Sequence, residues 1–190
     1  YKGSADKSTI TSVIFTSSIP SSYDESWDAS DVTNGSVMAY CSGTDTYVVD
    51  KNKVGKIYAN ANSSSMFRGF SAVTSISGLE LLDTSNTTDM GAMFSDCSNL
   101  TSLDNISGWS TSNVTCMSCM FRNCTALTSL DLSSWDTSNA YNNQAFMFQY
   151  CYNLEKITLG DKFSFLGNTD NYLPYPKGIS FALWYNEDTG

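Results

Sequence analysis

The sequence contains no histidine, few charged residues and no long hydrophobic run. Without histidine, the Ser-His-Asp and Cys-His arrangements of many hydrolases cannot be built. Neither a G-x-S-x-G motif nor a phosphate-binding loop is present. No segment reaches the roughly 18 consecutive apolar residues that suggest a transmembrane helix. These absences predict a protein that is not an enzyme and a fragment that does not insert into a membrane.

Basic residues are also scarce, and this limits the classes of partner that the chain is expected to bind. The 10 Lys and Arg residues are outnumbered by 19 Asp and Glu, which gives a net charge of -9. An acidic chain without a basic stripe is repelled by phosphate backbones and by anionic lipid. We therefore expect no nucleic-acid partner. Aromatic residues nevertheless make up 13% of the 190 residues, which favours a folded domain over disorder.

A block of sequence recurs every 27 residues. Met-Phe pairs begin at Met66, Met93, Met120 and Met147. Each is followed by a pattern of the type L-x-x-L, as in Leu100-Thr-Ser-Leu103 and Leu127-Thr-Ser-Leu130. A period of this size that carries L-x-x-L is typical of leucine-rich repeats, whose units bury their apolar faces only by stacking on their neighbours.

The repeats "DTSNTTDMGAMFSDCSNLTSLDNISGW" and "STSNVTCMSCMFRNCTALTSLDLSSWDTSN" resemble the BspA-type leucine-rich repeats of bacterial surface proteins. The resemblance covers about residues 80 to 159. It implies a leucine-rich fold and a cell-surface or secreted module that mediates adhesion or protein-protein interaction. The implied partner is a host or neighbouring-cell surface protein or a matrix component.

The predicted fold is an α/β leucine-rich repeat solenoid, a right-handed β/α coil within a single domain over residues 1–190. Residues 1–65 are expected to hold the first strand and an N-terminal β cap, residues 66–159 the repeats, and residues 160–190 a C-terminal cap. A short helix is predicted in each repeat, because Met90, Met93 and Phe94 recur at i, i+3 and i+4. The asparagines of the Thr-Ser-Asn triplets are expected to bridge the backbones of adjacent coils.

The segment at 10–15 repeats the strand motif and is interpreted as the first strand of the stack. Its residues Ile10 and Val13 should align with Val73 and Ile76 of the first repeat, across an insertion that contains the cap.

Three cysteines, Cys97, Cys124 and Cys151, share one column of the repeat with Phe70. A column that accepts phenylalanine is a buried apolar position, so these thiols are predicted to be buried, reduced and unmetallated. Cys116-x-x-Cys119 lacks the further ligands that structural zinc requires. We therefore predict neither metal nor cofactor. The tryptophans at 109 and 135 share a column with a leucine and are predicted to be core residues.

The candidate binding surface consists of outward positions of the predicted strands together with two tyrosines: Ser102, Asp104, Ser129, Asp131, Lys156, Tyr150 and Tyr152. The tyrosines replace polar residues of earlier repeats. They are expected to be covered by the C-terminal segment with Phe163, Phe165 and Trp184, or alternatively to form an exposed patch for a partner. The first of these is favoured, because a terminal repeat needs cover. No catalytic residue is predicted.

Three functions are compatible with the sequence. The first is the non-catalytic adhesive module, expected to be extracellular and monomeric. The second is a passive stalk that displays another domain. The third and weakest is an acid-pair hydrolase, for which Glu80 with Asp83 and Glu187 with Asp188 are the available pairs, although both sit in predicted turns. The sequence from Tyr1 to Gly190 shows neither signal peptide nor anchor, as expected for an excised fragment.

Overall fold

The computed structural model describes residues 6–29, 37–52, 55–140 and 143–165. Within them the regular elements are short strands and single turns of 3-10 helix. The strands are β1 Ser12–Thr16, β2 Glu25–Asp28, β3 Val37–Ser42, β4 Asp45–Asp50, β5 Ile57–Tyr58, β6 Ser75–Ser77, β7 Leu82–Asp83, β8 Ser129–Leu132 and β9 Lys156–Leu159. The 3-10 turns are Leu79–Leu81, Ile106–Gly108 and Ser138–Ala140.

The first four strands form a mixed sheet together with β6 of the first repeat, in the order β2-β3-β4-β1-β6. β2, β3 and β4 pair antiparallel, whereas β1 pairs parallel with both β4 and β6. We call this five-stranded unit the N-terminal sheet. There are also two small parallel sheets among the described residues: β5, just before the repeats, pairs with β7, and β8 pairs with β9. The antiparallel strands are thus joined to the first repeat through β1.

The predicted place of the first strand is confirmed. β1 pairs with β6 in the register that sets Val13 opposite Ile76, and the Thr74 amide donates to the Thr11 carbonyl at 2.9 Å. The side chains of Ile10 and Val73 are both fully buried.

The α/β leucine-rich repeat solenoid of right-handed β/α coils is wrong. The described residues contain no α-helix, and their strands form separate mixed and parallel sheets instead of one parallel sheet backed by helices. The stretch from just after Asn86 through Phe94, predicted as a helix, contains an isolated bridge at Asp89 and then turns, in which Ala92 has a φ of 52°; Asp96, at the end of these turns, has a φ of 64°. The left-handed residue at 92 interrupts any right-handed helix there.

Hydrogen bonding explains why these turns replace the helix. Alternate amides, those of Met90, Ala92, Phe94 and Asp96, donate to carbonyls of the next repeat at 2.8–2.9 Å. The intervening amides of Met93 and Ser95 donate within the turn, three residues back. The same alternation recurs in residues 63–69 and 117–123. A helix would use these amides internally, whereas here half of them join one repeat to the next. We call residues 61–159, held together in this way, the repeat stack.

Equivalent side chains form continuous columns inside the repeat stack. The rings of Phe67, Phe94, Phe121 and Phe148 stack in sequence, with centroids 5.2–5.6 Å apart and interplanar angles of 3–13°. The predicted core position of the tryptophans is confirmed, because Trp109 and Trp135 are buried and stacked at 6.4 Å. Their indole N–H groups donate to the carbonyls of Leu79 and Ile106. The core therefore runs along the stack as parallel rows of identical groups.

Polar side chains also connect the repeats. As predicted, the amide groups of Asn113 and Asn139 donate to the carbonyls of Ser85 and Ser112 in the preceding repeat. The hydroxyl of Thr101 likewise donates to the Thr74 carbonyl, one repeat earlier. Beyond the stack, Phe163 and Phe165 pack partly buried against the core. The remainder of the predicted C-terminal cap, including Trp184, lies outside the described residues, and the predicted domain boundaries stay predictions.

Candidate functional site

The predicted strand-face residues are only partly brought together. β8 and β9 place Ser129 beside Lys156 in a parallel register, and Asp131 beside Thr158. Asp104 is exposed and Ser102 half-buried in the preceding repeat, where no strand forms. The Asp131 carboxylate accepts a hydrogen bond from the Ser133 amide within its own turn. These residues form a shallow polar face. Its predicted role in binding stays a prediction.

The described part of the C-terminal segment, which ends at Phe165, does not cover Tyr150 and Tyr152, and the rest of the predicted cover, including Trp184, lies outside the described residues. Their exposed fractions are 43% and 45%, and the two ring centroids lie 5.9 Å apart. The Phe165 ring instead contacts Phe148, at 6.2 Å. Both phenylalanines at 163 and 165 therefore cover the end of the aromatic core and leave the tyrosine pair accessible to solvent.

Tyr150 has an unusual backbone conformation. Its φ is 66°, and the equivalent positions in earlier repeats are Gly69, Asp96 and Asn123, all with positive φ. Glycine, aspartate and asparagine tolerate this left-handed region, while other residues lose roughly 1–2 kcal/mol there. A bulky, exposed aromatic residue at this position is therefore not explained by local backbone preference.

Both arginines of the sequence lie in the same row of the repeat surface as this tyrosine. The Arg122 guanidinium lies over the Tyr150 ring, 5.7 Å from its centroid. Arg68, two repeats earlier, pairs with Asp96 at 3.5 Å. We call the following six residues the arginine-tyrosine row: Arg68, Asp96, Arg122, Asn123, Tyr150 and Tyr152. The sequence signal that could have identified the arginines is their rarity, since both occupy the same position of the repeat.

Asp96 is held ionised in the middle of this row. Burial works to raise the pKa of its carboxyl group, but hydrogen bonds from Asn123 and Ser95 and the charge of Arg68 outweigh it and lower the pKa. The Asn123 amide reaches the carboxylate at 3.1 Å. The row therefore presents fixed charges and amide groups beside an aromatic pair.

The burial predicted for the cysteine column is confirmed. Cys97, Cys124 and Cys151 are fully buried free thiols, and their Sγ atoms donate to phenylalanine carbonyls of the preceding repeat at 2.9–3.1 Å. Burial raises the pKa of Cys97 and Cys151 to about 12. Cys116 and Cys119 are half-buried and also unpaired. Across the part of the chain that the structure describes, no three His, Cys, Asp or Glu side chains are grouped as metal ligands.

A cavity of about 810 Å³ lies between the N-terminal sheet and the first turns of the repeat stack. Side chains of β1, β3 and β4 line one side, and residues 57–67 line the other. Sequence reasoning missed this cavity, because its two walls come from segments that share no pattern.

No helix among the described residues is long and apolar enough to span a bilayer. Residues 61–165, more than half of the chain, match a family model described as "Mycoplasma protein of unknown function, DUF285". The searches of curated proteins and of solved structures gave no significant match.

Proposed function

We propose that this chain, which belongs to the DUF285 family, is a non-catalytic interaction module of a surface or secreted protein. The arginine-tyrosine row is the proposed contact site, and the proposed partner is a protein of a host cell, a neighbouring cell or the matrix. The resemblance of the repeats to BspA-type surface proteins supports the extracellular assignment. The proposed module acts by adhesion and performs no chemistry.

The observation that carries this proposal is the exposed Tyr150. Its ring is 43% exposed and its backbone is left-handed. Every earlier repeat has a residue there that adopts this conformation more easily. A residue that lowers local stability and gains little burial is better explained by contact with a partner than by folding.

The composition of the row supports protein binding. Tyrosine and arginine are enriched at protein interfaces and dominate their binding energy, because they bury a large area and still supply hydrogen bonds. Arg122 and Tyr152 flank the Tyr150 ring on the same surface. A partner chain that docks here would therefore contact both rings and the Arg122 guanidinium that lies over Tyr150.

The competing functions have less support. A passive stalk gives no reason for the exposed tyrosine pair. A hydrolase needs two carboxyl groups across a cleft, with the acid's pKa raised. Asp83, a member of one candidate pair, instead has its pKa lowered to about 2 by hydrogen bonds from Ser85 and Lys56. Its predicted partner Glu80 accepts a hydrogen bond from the Asn105 side chain on the surface.

The experiment compares binding of the fluorescent chain to cultured epithelial monolayers before and after treatment of the cells with trypsin. We expect saturable binding that trypsin removes. The double variant Tyr150→Ser/Tyr152→Ser should lose about tenfold or more in affinity, because each ring is placed to be an interface anchor. Its melting temperature should change little, because both rings are already exposed.

Ile19→Ser is the matched control, since Ile19 is also an exposed large apolar residue, at 50%. It should bind as the unmodified chain does. Equal binding by the double variant would contradict the assignment of the row. The absence of any saturable binding by the unmodified chain would favour the stalk.

A further inference from the structure

The two arginines of the chain occupy the same position of the repeat but have different neighbours. Arg68 and Arg122 each directly follow a Met-Phe pair. The residue that stands one repeat and one position later is Asp96 for Arg68 and Tyr150 for Arg122. The repeat stack therefore presents the same cation twice, once beside a carboxylate and once beside an aromatic ring.

The first arginine has a counter-ion within the protein. The Nε atom of Arg68 lies 3.5 Å from a carboxylate oxygen of Asp96. The side chains of Asn123 and Ser95 donate to the same carboxylate, each at 3.1 Å, and hold it in place. This arrangement shows which kind of group the stack itself sets against an arginine at this position, namely a carboxylate.

The second arginine has no counter-ion of this kind. Arg122 is exposed, and its guanidinium lies 5.7 Å from the centroid of the Tyr150 ring. Among the described residues it forms neither an ion pair nor a side-chain hydrogen bond. A guanidinium carries five N–H donors, and contact with the face of a ring supplies them with no oxygen acceptor. The donors of Arg122 are therefore available to a partner.

The tyrosine pair determines what such a partner must supply. Tyr150 and Tyr152 are 43% and 45% exposed, and their ring centroids lie 5.9 Å apart. A partner that covers these rings also removes water from Arg122, because the guanidinium lies over one of them. A cation that loses its water without gaining an anion is costly. A carboxylate prevents this cost, since it can accept two parallel hydrogen bonds from a guanidinium.

The charge of the whole chain restricts where an acidic group can dock. The chain has 10 Lys and Arg against 19 Asp and Glu, so an approaching carboxylate is repelled over much of the surface. This repulsion is screened beyond about 8 Å at physiological ionic strength, and the nearest charges then decide the contact. An acidic group is therefore directed to a cation without a counter-ion, and Arg122 is one that lies beside exposed rings.

We propose that the protein partner of the arginine-tyrosine row presents an Asp or Glu side chain to Arg122, flanked by residues that cover Tyr150 and Tyr152. The carboxylate of the partner takes the place relative to Arg122 that the Asp96 carboxylate has relative to Arg68. This inference rests on the function proposed for the row and adds the chemistry of the group that the row recognises.

The first test compares two substitutions of Tyr150 in the binding of the fluorescent chain to epithelial monolayers. Tyr150→Asn and Tyr150→Asp both remove the ring, and both residue types occur with positive φ at this position, as Asn123 and Asp96. Only aspartate supplies Arg122 with an internal counter-ion. We expect Tyr150→Asp to bind about tenfold more weakly than Tyr150→Asn, because Arg122 is then already paired. Equal affinities would overturn this inference and leave the proposed function standing.

The second test removes the cation. Arg122→Gln should weaken binding about tenfold, with little change in melting temperature, because the side chain is exposed. Lys7→Gln is the matched control, since the Lys7 Nζ atom lies over the Phe70 ring at 5.9 Å and stands outside the row. It should bind as the unmodified chain does. Unchanged binding by Arg122→Gln would also overturn the inference.

The third test concerns the source of the carboxylate. Amidation of the monolayers with a carbodiimide and ethanolamine should weaken binding of the unmodified chain about tenfold, without weakening that of Arg122→Gln further. Neuraminidase treatment should leave binding unchanged. Loss of binding after neuraminidase would assign the carboxylate to a glycan and overturn the acidic side chain, as would full binding to amidated cells. The absence of saturable binding by the unmodified chain would overturn both this inference and the proposed function.

Discussion

The repeat stack and the N-terminal sheet satisfy their polar groups in different ways. In the repeat stack, equivalent side chains bond to backbone groups one repeat away, as Thr101 does to Thr74 and Asn113 to Ser85. The N-terminal sheet has no such periodic neighbour on its outer strands. It borders a cavity of about 810 Å³ instead. Regular repetition thus gives each repeat the same bonds to its neighbour, whereas the irregular strands have no equivalent neighbour.

The same contrast applies within the repeat stack. Tyr150 breaks a column of residues suited to a left-handed backbone, and Asn86 breaks a column of bridging amides. The first break places an exposed aromatic ring in the arginine-tyrosine row, whose members Asp96 and Asn123 follow the regular pattern.

The largest expected effect is the loss of a ring from the aromatic column. Phe121→Ala should lower the free energy of unfolding by about 3–5 kcal/mol, because a fully buried phenylalanine leaves a cavity between two stacked neighbours. Urea denaturation measures this. Tyr23→Ala, at a ring 49% exposed beside the N-terminal sheet, should cost far less. Equal losses would refute the contrast between the two regions.

The second effect concerns the junction of the two regions at Gly78. Its φ is 73°, and a Cβ atom there would fall on the carbonyl oxygen of Phe15 in β1. Gly78→Ala should therefore cost about 2–4 kcal/mol, from left-handed strain and from the forced shift of β1. Gly108→Ala is the control, since an added Cβ meets nothing within 4 Å there. If Gly78→Ala left the free energy of unfolding unchanged, β1 would not be packed closely against this position.

These examples show which features the sequence could predict. The predictions for the cysteine column and for the register of β1 were correct, because each rested on apolar residues that recur at one position of the repeat, such as Phe70 and Cys97. The helix was wrong because the spacing of Met90, Met93 and Phe94 fits consecutive turns as well as a helix. The available signal for a left-handed position was the recurrence of Gly69, Asp96 and Asn123 at one position of the repeat, because these residue types tolerate positive φ. The cavity depends on non-local packing, for which no single stretch carries a pattern.

Alkaline pH provides a third test. The pKa of Cys97 and Cys151 is raised by burial to about 12 from an ordinary value of 9.0. Above pH 9.0 the unfolded chain loses these protons while the folded chain keeps them. Stability is therefore unaffected by these thiols below pH 9.0 and falls as the pH rises toward 12.

The measurement is the urea midpoint at about pH 8 and about pH 11, compared with that of the double variant Cys97→Ala/Cys151→Ala. The variant should lose less stability over this interval than the unmodified chain, whatever its starting stability. An identical loss in both proteins would mean that the thiols are accessible to hydroxide without unfolding of the stack.

The smallest expected effect is the removal of one bridging amide. Asn113→Ala deletes the 2.8 Å bond to the Ser85 carbonyl and should cost about 1 kcal/mol, because the bond is exposed. Asn99→Ala, at an exposed asparagine of the same repeat surface, should be neutral within about 0.5 kcal/mol. If both variants behave alike, the amide column contributes nothing to cohesion between repeats.

The repeated hydrogen bonding between repeats also has a consequence for evolution. Alternate amides of residues 63–69, 90–96 and 117–123 donate forward to the following repeat, whereas side chains such as Thr101 and Asn113 donate back to the preceding one. A duplicated 27-residue unit would present the same donors and acceptors to each neighbour, so its insertion would create no new kind of junction. Each added unit would move the tyrosine pair about 4.8 Å further from the first repeat and its cavity. Gene duplication would thus change the distance between the tyrosine pair and the N-terminal sheet without altering either of them.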